Sequence, residues 1–261
     1  MREYTRQEQE AAAVAAKLIA AEGRTWARAF RDAQRSVGIR PDPNLTASEI
    51  RRWFALFAPH EHQALLSAKR HAALHVMRSV PELNCRLIGV VLSGAAVETS
   101  PAELVAIGTG EKEAFLALLN AGFLPEPLDA PYPTAFARRV GEKCLDSLLL
   151  DVRGEPVLVR IVPEHTPLPA LTRPDEFQAE WEAAGALPSD ALAQVLSDTP
   201  LNRSHNQHHP SAVLGYPVEG IPRASAALYT LQFICNGLQS VVLRQYLGNA
   251  LVLKQIFFDK K

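Results

Sequence analysis

The hydrophobic pattern of the chain changes abruptly near residue 84, and this change constrains the fold more than any other feature. Before it, apolar residues recur at helical spacing and predict a series of helices. After it, residues 86–92 and 103–107 are short apolar runs of strand character. A compact helix, "GTGEKEAFLALLNAG", and a hairpin through Arg153-Gly154-Glu155 follow. We therefore predict an α+β fold, in which a helical N-terminal region precedes a small mixed β-sheet with flanking helices.

Composition then divides the 261 residues into four parts. We predict a helical N-terminal region at 1–59, an α+β domain at 60–198, a polar, proline-rich linker at 199–223 and an apolar C-terminal segment at 224–261. The last segment contains Gln, Asn and Arg side chains, which argue against a membrane span. We expect it to dock on the body of the protein or to form a homo-oligomer interface.

Charge and cysteine content exclude several classes of protein. The formal net charge is −1, so no strong field favours a nucleic acid as partner. The three cysteines are widely spaced and odd in number, which fits neither a disulfide framework nor a zinc site. We expect a reducing compartment, and hence a cytoplasmic protein.

Three local patterns give further expectations. Thr46 and Glu49 have the spacing of a capping box and predict the start of a third helix. Thr172 and Ser189 are expected to cap two short helices near the end of the α+β domain. The basic side chains on the helix before residue 80 are expected to be solvated, with contact to a phosphate group as the alternative; they are Lys69, Arg70 and Arg78.

The stretch "VVLSGAAVETSPAEL" joins the two apolar runs through small residues. Over roughly residues 60–165, the order of elements and this stretch resemble nucleotidyltransferases of the polymerase-beta type. In that family the first strand ends in a Gly-Ser turn that approaches the triphosphate. Gly94 matches the turn glycine, and Ala95 stands where the serine is expected. The resemblance implies that a nucleotide would contact Ser93, Gly94, Ala95 and Ser100.

The family's metal-binding residues are largely replaced. Family members open the next strand with Ser-Asp-x-Asp-Leu and carry a third carboxylate on a later strand, because two metal ions need clustered carboxylates. Here Pro101 and Glu103 take the first two positions, and Leu158 is the expected occupant of the third. The resemblance implies that Glu103 would be the catalytic and metal-binding residue, with Mg²⁺ as cofactor if the protein is active and no cofactor otherwise.

Three functions follow as hypotheses. The first is a non-catalytic or weakly active nucleotidyltransferase-like protein that binds a nucleotide or a protein partner. The second is an active, metal-dependent nucleotidyltransferase that takes its other ligands from Glu98, Asp151 or Glu155. The third is a scaffolding or oligomerisation protein that associates through residues 224–261. Alternatively, Gly94 is simply a tight turn and Glu103 a solvated strand end.

Overall fold

The computed structural model describes residues 4–128, 136, 140 and 146–198. All of these residues belong to one compact unit, Met1–Arg203. The predicted linker at 199–223 and the apolar segment at 224–261 lie outside the described residues.

Four helices open the chain: α1 (Arg6–Ala20), α2 (Trp26–Val37), α3 (Pro43–Phe57) and α4 (Pro59–Ser79). The predicted capping box at Thr46 is wrong, because α3 already begins at Pro43. Asp42 caps this helix instead, since its carboxylate accepts the backbone N–H groups of Asn44 and Leu45. A proline at the first helical position loses no hydrogen bond, which explains why the helix can begin there.

The sheet contains six strands: β1 (Arg86–Ile88), β2 (Ala102–Ile107), β3 (Glu126–Pro127), β4 (Asp146–Val152), β5 (Glu155–Val162) and β6 (Ala186–Pro188). Their order across the sheet is β3-β4-β5-β2-β1-β6. Only the β2–β5 pair is parallel among these strands. The sheet is therefore mixed and the fold is α+β, as predicted, and the hairpin joins β4 to β5 through Arg153 and Gly154.

Within residues 84–128 and 146–198, three further helices lie beside the sheet: α5 (Gly89–Leu92), α6 (Glu111–Asn120) and α7 (Ser189–Asp198). The predicted strand at 86–92 is too long, because the chain leaves the sheet after Ile88 and turns into α5. The predicted helix after Thr172 is also wrong, since the segment holds only a 3₁₀ turn, Glu180–Ala183. The helix expected after Ser189 is present as α7.

The two faces of the sheet are buried by different parts of the chain. Helices α4, α6 and α7 pack on the face that carries Leu87, Leu104 and Val159. The other face carries Ile88, Val105 and Val162, which pack against Phe136. A separate cluster joins α1, α2 and α3 to Ala95 and Val97. The residues between β1 and β2 therefore lie between the helical region and the sheet.

No helix within residues 4–128 and 146–198 has both the length and the apolar character needed to cross a bilayer.

Candidate functional site

The residues predicted to contact a nucleotide lie in the connection between β1 and β2, residues 89–101. Two glycines shape it, because Gly89 and Gly94 both adopt a φ of +76°. Other residues rarely adopt this left-handed conformation. Gly89 turns the chain directly after β1, whereas Gly94 follows the single turn of α5. The glycine that ends the first strand is thus Gly89, five residues before the one expected from the sequence.

The residues expected to contact a nucleotide bind their own chain instead. Ala95 is fully buried against the N-terminal helices. Ser100 is also buried, and its hydroxyl oxygen accepts the backbone N–H of Val97 at 3.0 Å. The Ser93 hydroxyl donates a long, 3.5 Å bond to the Val90 carbonyl. The two serine hydroxyls therefore stabilise the connection.

Four side chains from α3 and α4 hold this connection by its carbonyl oxygens. The bonds are Arg51 to Ser93 (3.0 Å), His62 to Ala96 (3.0 Å), Lys69 to Glu98 (3.0 Å), and Arg70 to both Val91 (3.0 Å) and Leu92 (3.2 Å). Lys69 is 1% exposed and Arg70 is 7% exposed, so the expectation that they are solvated is wrong. These basic groups fix the backbone of the connection.

Three of these four side chains, Arg51, Lys69 and Arg70, also bind a carboxylate. Lys69 pairs with Glu155 at 2.9 Å, Arg70 with Glu182 and Arg51 with Asp175, both at 2.5 Å. Burial alone would raise the pKa of Asp175, but hydrogen bonds from Arg51 and Ser48 outweigh this effect and lower the pKa. The positive charge around the connection is thus neutralised from within the chain.

Glu103 lies on the other face of the sheet and is only 4% exposed. Its Oε1 accepts the Nε–H of Arg160 at 2.5 Å, and Arg160 is fully buried. Arg160 also donates to the Ser147 hydroxyl at 3.3 Å. Strands β2 and β5 pair Glu103 directly with Leu158, so Arg160, two residues later, projects from the same face. The carboxylate is therefore engaged by a guanidinium, and it is not a solvated strand end.

This arrangement does not fit a Mg²⁺ site. Magnesium prefers oxygen ligands, and two-metal chemistry needs several carboxylates together. Beside Glu103 the sheet places the hydrocarbon side chain of Leu158, and Pro101 supplies no side-chain oxygen. Among the described residues, no three His, Cys, Asp or Glu side chains cluster as metal ligands do.

His62, which follows α3 at the start of α4, contacts both the β1–β2 connection and α3. Its ring stacks on Phe54 with centroids 3.9 Å apart, and its Nε2–H donates to Ala96. Burial lowers the pKa of His62, and the nearby positive charge of Arg70 lowers it further. His62 is consequently neutral in the folded protein near pH 7.

We expect acid to destabilise the protein through this histidine. An unfolded chain binds a proton at His62 near the ordinary pKa of about 6.5, whereas the folded chain does so only at lower pH. The free energy of unfolding should therefore fall as the pH drops below about 6.5. Urea unfolding at pH 7.5 and 5.5 measures this slope, and His62→Gln, which keeps an N–H donor, should reduce it. Exposed His71→Gln is the control and should keep the wild-type dependence of the free energy of unfolding on pH. If His62→Gln also keeps the wild-type dependence, buried His62 is not its source.

The sequence contained signals for the residues that it failed to predict. Arg160 is the only charged residue in "VLVRIV", and a charge inside an apolar strand requires a buried partner. Lys69 and Arg70 lie three and four residues after Leu66, at the helical spacing of the buried face of α4. In each case the partner carboxylate is far away in the sequence, and the spacing of residues does not identify it.

No protein-family model, no curated protein and no solved structure matches this chain.

Proposed function

We propose that this chain is a non-catalytic protein built on a nucleotidyltransferase-like scaffold, which acts by binding and does not transfer nucleotides. The single observation that carries the proposal is the buried pair of Glu103 and Arg160. Arg160 projects from β5 on the face where the family resemblance expects the third carboxylate.

A guanidinium at this position opposes metal binding for two reasons. It is permanently charged, so it repels a divalent cation within a few ångströms. It also hydrogen-bonds the carboxylate oxygen that a metal would need. If Glu103 bound Mg²⁺, Arg160 would lose its carboxylate partner and remain as an unpaired charge in the interior, which is costly.

The carboxylates considered as replacement ligands lie elsewhere. Glu155 is three residues before Leu158, so it projects from the opposite face of the sheet from Glu103, where it binds Lys69. Asp151 lies on β4, two strands from Glu103, and its carboxylate accepts the N–H of Gly154 at 2.7 Å. Glu98 is exposed. This geometry favours the non-catalytic hypothesis over the active enzyme.

We expect the full chain to release no pyrophosphate from any of the four nucleoside triphosphates with Mg²⁺ or Mn²⁺. Continuous measurement of pyrophosphate, with a buffer blank, tests this. Robust metal-dependent release that co-purifies with the protein would overturn the proposal. Such a result would be checked with the double variant Glu103→Gln/Arg160→Gln, which removes both charges, and with exposed Glu98→Gln as the control. Loss of pyrophosphate release in the double variant alone would assign the activity to Glu103.

The surface of α6 favours a protein as the binding partner. Leu116 is 54% exposed, Leu119 43% and Leu124, just after the helix, 81%. Leu116 and Leu119 are three residues apart and share one face of α6, and exposed apolar side chains on one face often mark an interaction site. A nucleotide, a homo-oligomer formed through residues 224–261, and a cytoplasmic location stay predictions from the sequence.

A further inference from the structure

Two histidines lie one turn apart on the outer face of α4. His71 and His75 are both exposed, whereas the residues between them, Ala72, Ala73 and Leu74, are buried. Residues four apart on a helix share one face, with Cβ atoms about 5–6 Å from each other. The two imidazole side chains are therefore neighbours on the side of α4 that is turned away from the core, where a dissolved ion can reach them.

A hydrogen bond decides which nitrogen of His71 is free to bind a metal. Its Nδ1 lies 2.8 Å from the Ser67 carbonyl oxygen, and a carbonyl oxygen can only accept a hydrogen bond. Nδ1 therefore carries a proton, and in the neutral ring Nε2 presents its lone pair to solvent. Metal-binding histidines usually donate their other N–H to a carbonyl or carboxylate oxygen in this way. His71 thus has the hydrogen bond that supports a metal ligand.

His75 is oriented by an aromatic neighbour. Phe123, which follows α6, meets the His75 ring edge-on, with ring centroids 5.7 Å apart and planes at 72°. The Cα–Cβ bonds of a helix tilt toward its N-terminus, so His75 leans toward the turn that carries His71. A side chain that is already restricted loses less conformational entropy when it binds a ligand. The contact with Phe123 therefore favours metal binding by His75.

The spacing of the two histidines is one that zinc proteins use. In the pattern H-E-x-x-H, two histidines four apart on a helix bind zinc, and the glutamate acts as general base. Here the stretch is "HAALH", in which Ala72 stands at the glutamate position. Over residues 4–128 and 146–198, no third His, Cys, Asp or Glu side chain completes a cluster of metal ligands. The pair therefore offers two nitrogen ligands and no general base.

We propose that His71 and His75 form a surface site for one divalent cation of the zinc, nickel and copper class, with water in the remaining coordination positions. Imidazole nitrogen suits these ions, whereas Mg²⁺ and Ca²⁺ prefer oxygen ligands, and Cu²⁺ should bind most tightly of the three. Helix α4 packs on the face of the sheet that carries Leu104, and Glu103 projects from the other face. The inference is therefore independent of whether the protein transfers nucleotides.

Calorimetric titration of the full chain with Zn²⁺, and separately with Mg²⁺, tests the proposal. The double variant His71→Gln/His75→Gln should bind one Zn²⁺ fewer than the wild type. Each single substitution should weaken that binding at least about tenfold, since loss of even an outer-shell partner typically costs that much. The control His60→Gln/His165→Gln also removes two exposed imidazoles and should keep the wild-type binding. Wild-type stoichiometry and affinity in His71→Gln/His75→Gln, or equal binding of Mg²⁺ by the wild type, overturns the proposal.

A further substitution tests the position of the site by a change in the opposite direction. Arg78 is exposed and lies three residues after His75, so it neighbours that histidine on the helix surface. Arg78→Glu replaces a repelling charge by a carboxylate, which is itself a zinc ligand, and should tighten Zn²⁺ binding several-fold. Arg52→Glu on α3 makes the same change of charge far from the pair and is the control. Equal effects of the two substitutions would contradict a site at His75.

Discussion

Replacing Glu103 by Ala should destabilise the protein by about 3–5 kcal/mol, the cost typical of breaking a buried ion pair from one side. Arg160 has no access to solvent, so it would remain as a buried charge without its carboxylate partner. Urea unfolding followed by circular dichroism measures the effect. Exposed Glu98→Ala should change the free energy of unfolding by less than about 0.5 kcal/mol and is the control.

A second substitution separates charge burial from lost packing. The double variant Glu103→Leu/Arg160→Met removes both buried charges and fills their space with apolar side chains. We expect this double variant to be substantially more stable than Glu103→Ala, because similar replacements of buried ion pairs by apolar residues are often neutral or stabilising. If Glu103→Ala costs less than about 1 kcal/mol, the pair does not hold the carboxylate in the interior as described.

Gly185→Ala, at the end of the segment that joins β5 to β6, should strongly destabilise the protein. A Cβ there would be 2.6 Å from the Ala170 carbonyl oxygen and 2.8 Å from its carbon, and closer still to the Pro169 oxygen. These atoms belong to the backbone and cannot rotate away. The φ of +76° adds the strain of a left-handed conformation. We expect a loss of about 3 kcal/mol or more, from overpacking and backbone strain together.

Gly122→Ala is the matched control for this prediction. Gly122 has a φ of +87°, but a Cβ there would meet nothing within 4 Å. It should therefore suffer only the conformational cost of about 1–2 kcal/mol. Thermal unfolding should show a shift of the midpoint at least about one and a half times as large for Gly185→Ala, since each kcal/mol corresponds to about 2–4 °C in a domain of this size. Equal shifts would contradict the close approach of the backbone at Gly185.

The sequence predicted those elements that local patterns determine. The β4–β5 hairpin was predicted from the Arg153-Gly154 turn, and α7 from its apolar spacing and Ser189. Prediction from the sequence failed where one hydrophobic pattern is compatible with two kinds of secondary structure. The run "RLIGVVL" suits a buried strand or a buried helix equally, and the chain divides it between β1 and α5. Trp181 has helical spacing from Phe177, but it packs on Arg70 from a 3₁₀ turn.

The candidate site was predictable only in part, for a related reason. The family resemblance assigned Leu158 to the position of the third carboxylate, and the structure pairs this residue with Glu103 across β2 and β5. The ion pairs were not predictable, because a charge reveals that it needs a partner without revealing which one. Arg51 and Asp175 are 124 residues apart, and Arg70 and Glu182 are 112 apart. Only the folded topology brings such groups together.

The contacts between the N-terminal helices and the β1–β2 connection also decide where this protein can be divided. Residue 59 ends the helical region by composition, but Arg51 donates to Ser93 across that boundary, and Ala95 and Val97 are buried against Ile19 and Ile50. A fragment that starts at residue 60 would expose those apolar residues and leave the Ser93 carbonyl and Asp175 without Arg51. The helices before it are thus part of the same cooperative folding unit as the sheet, and grafting the α+β part into another protein would require them to move with it.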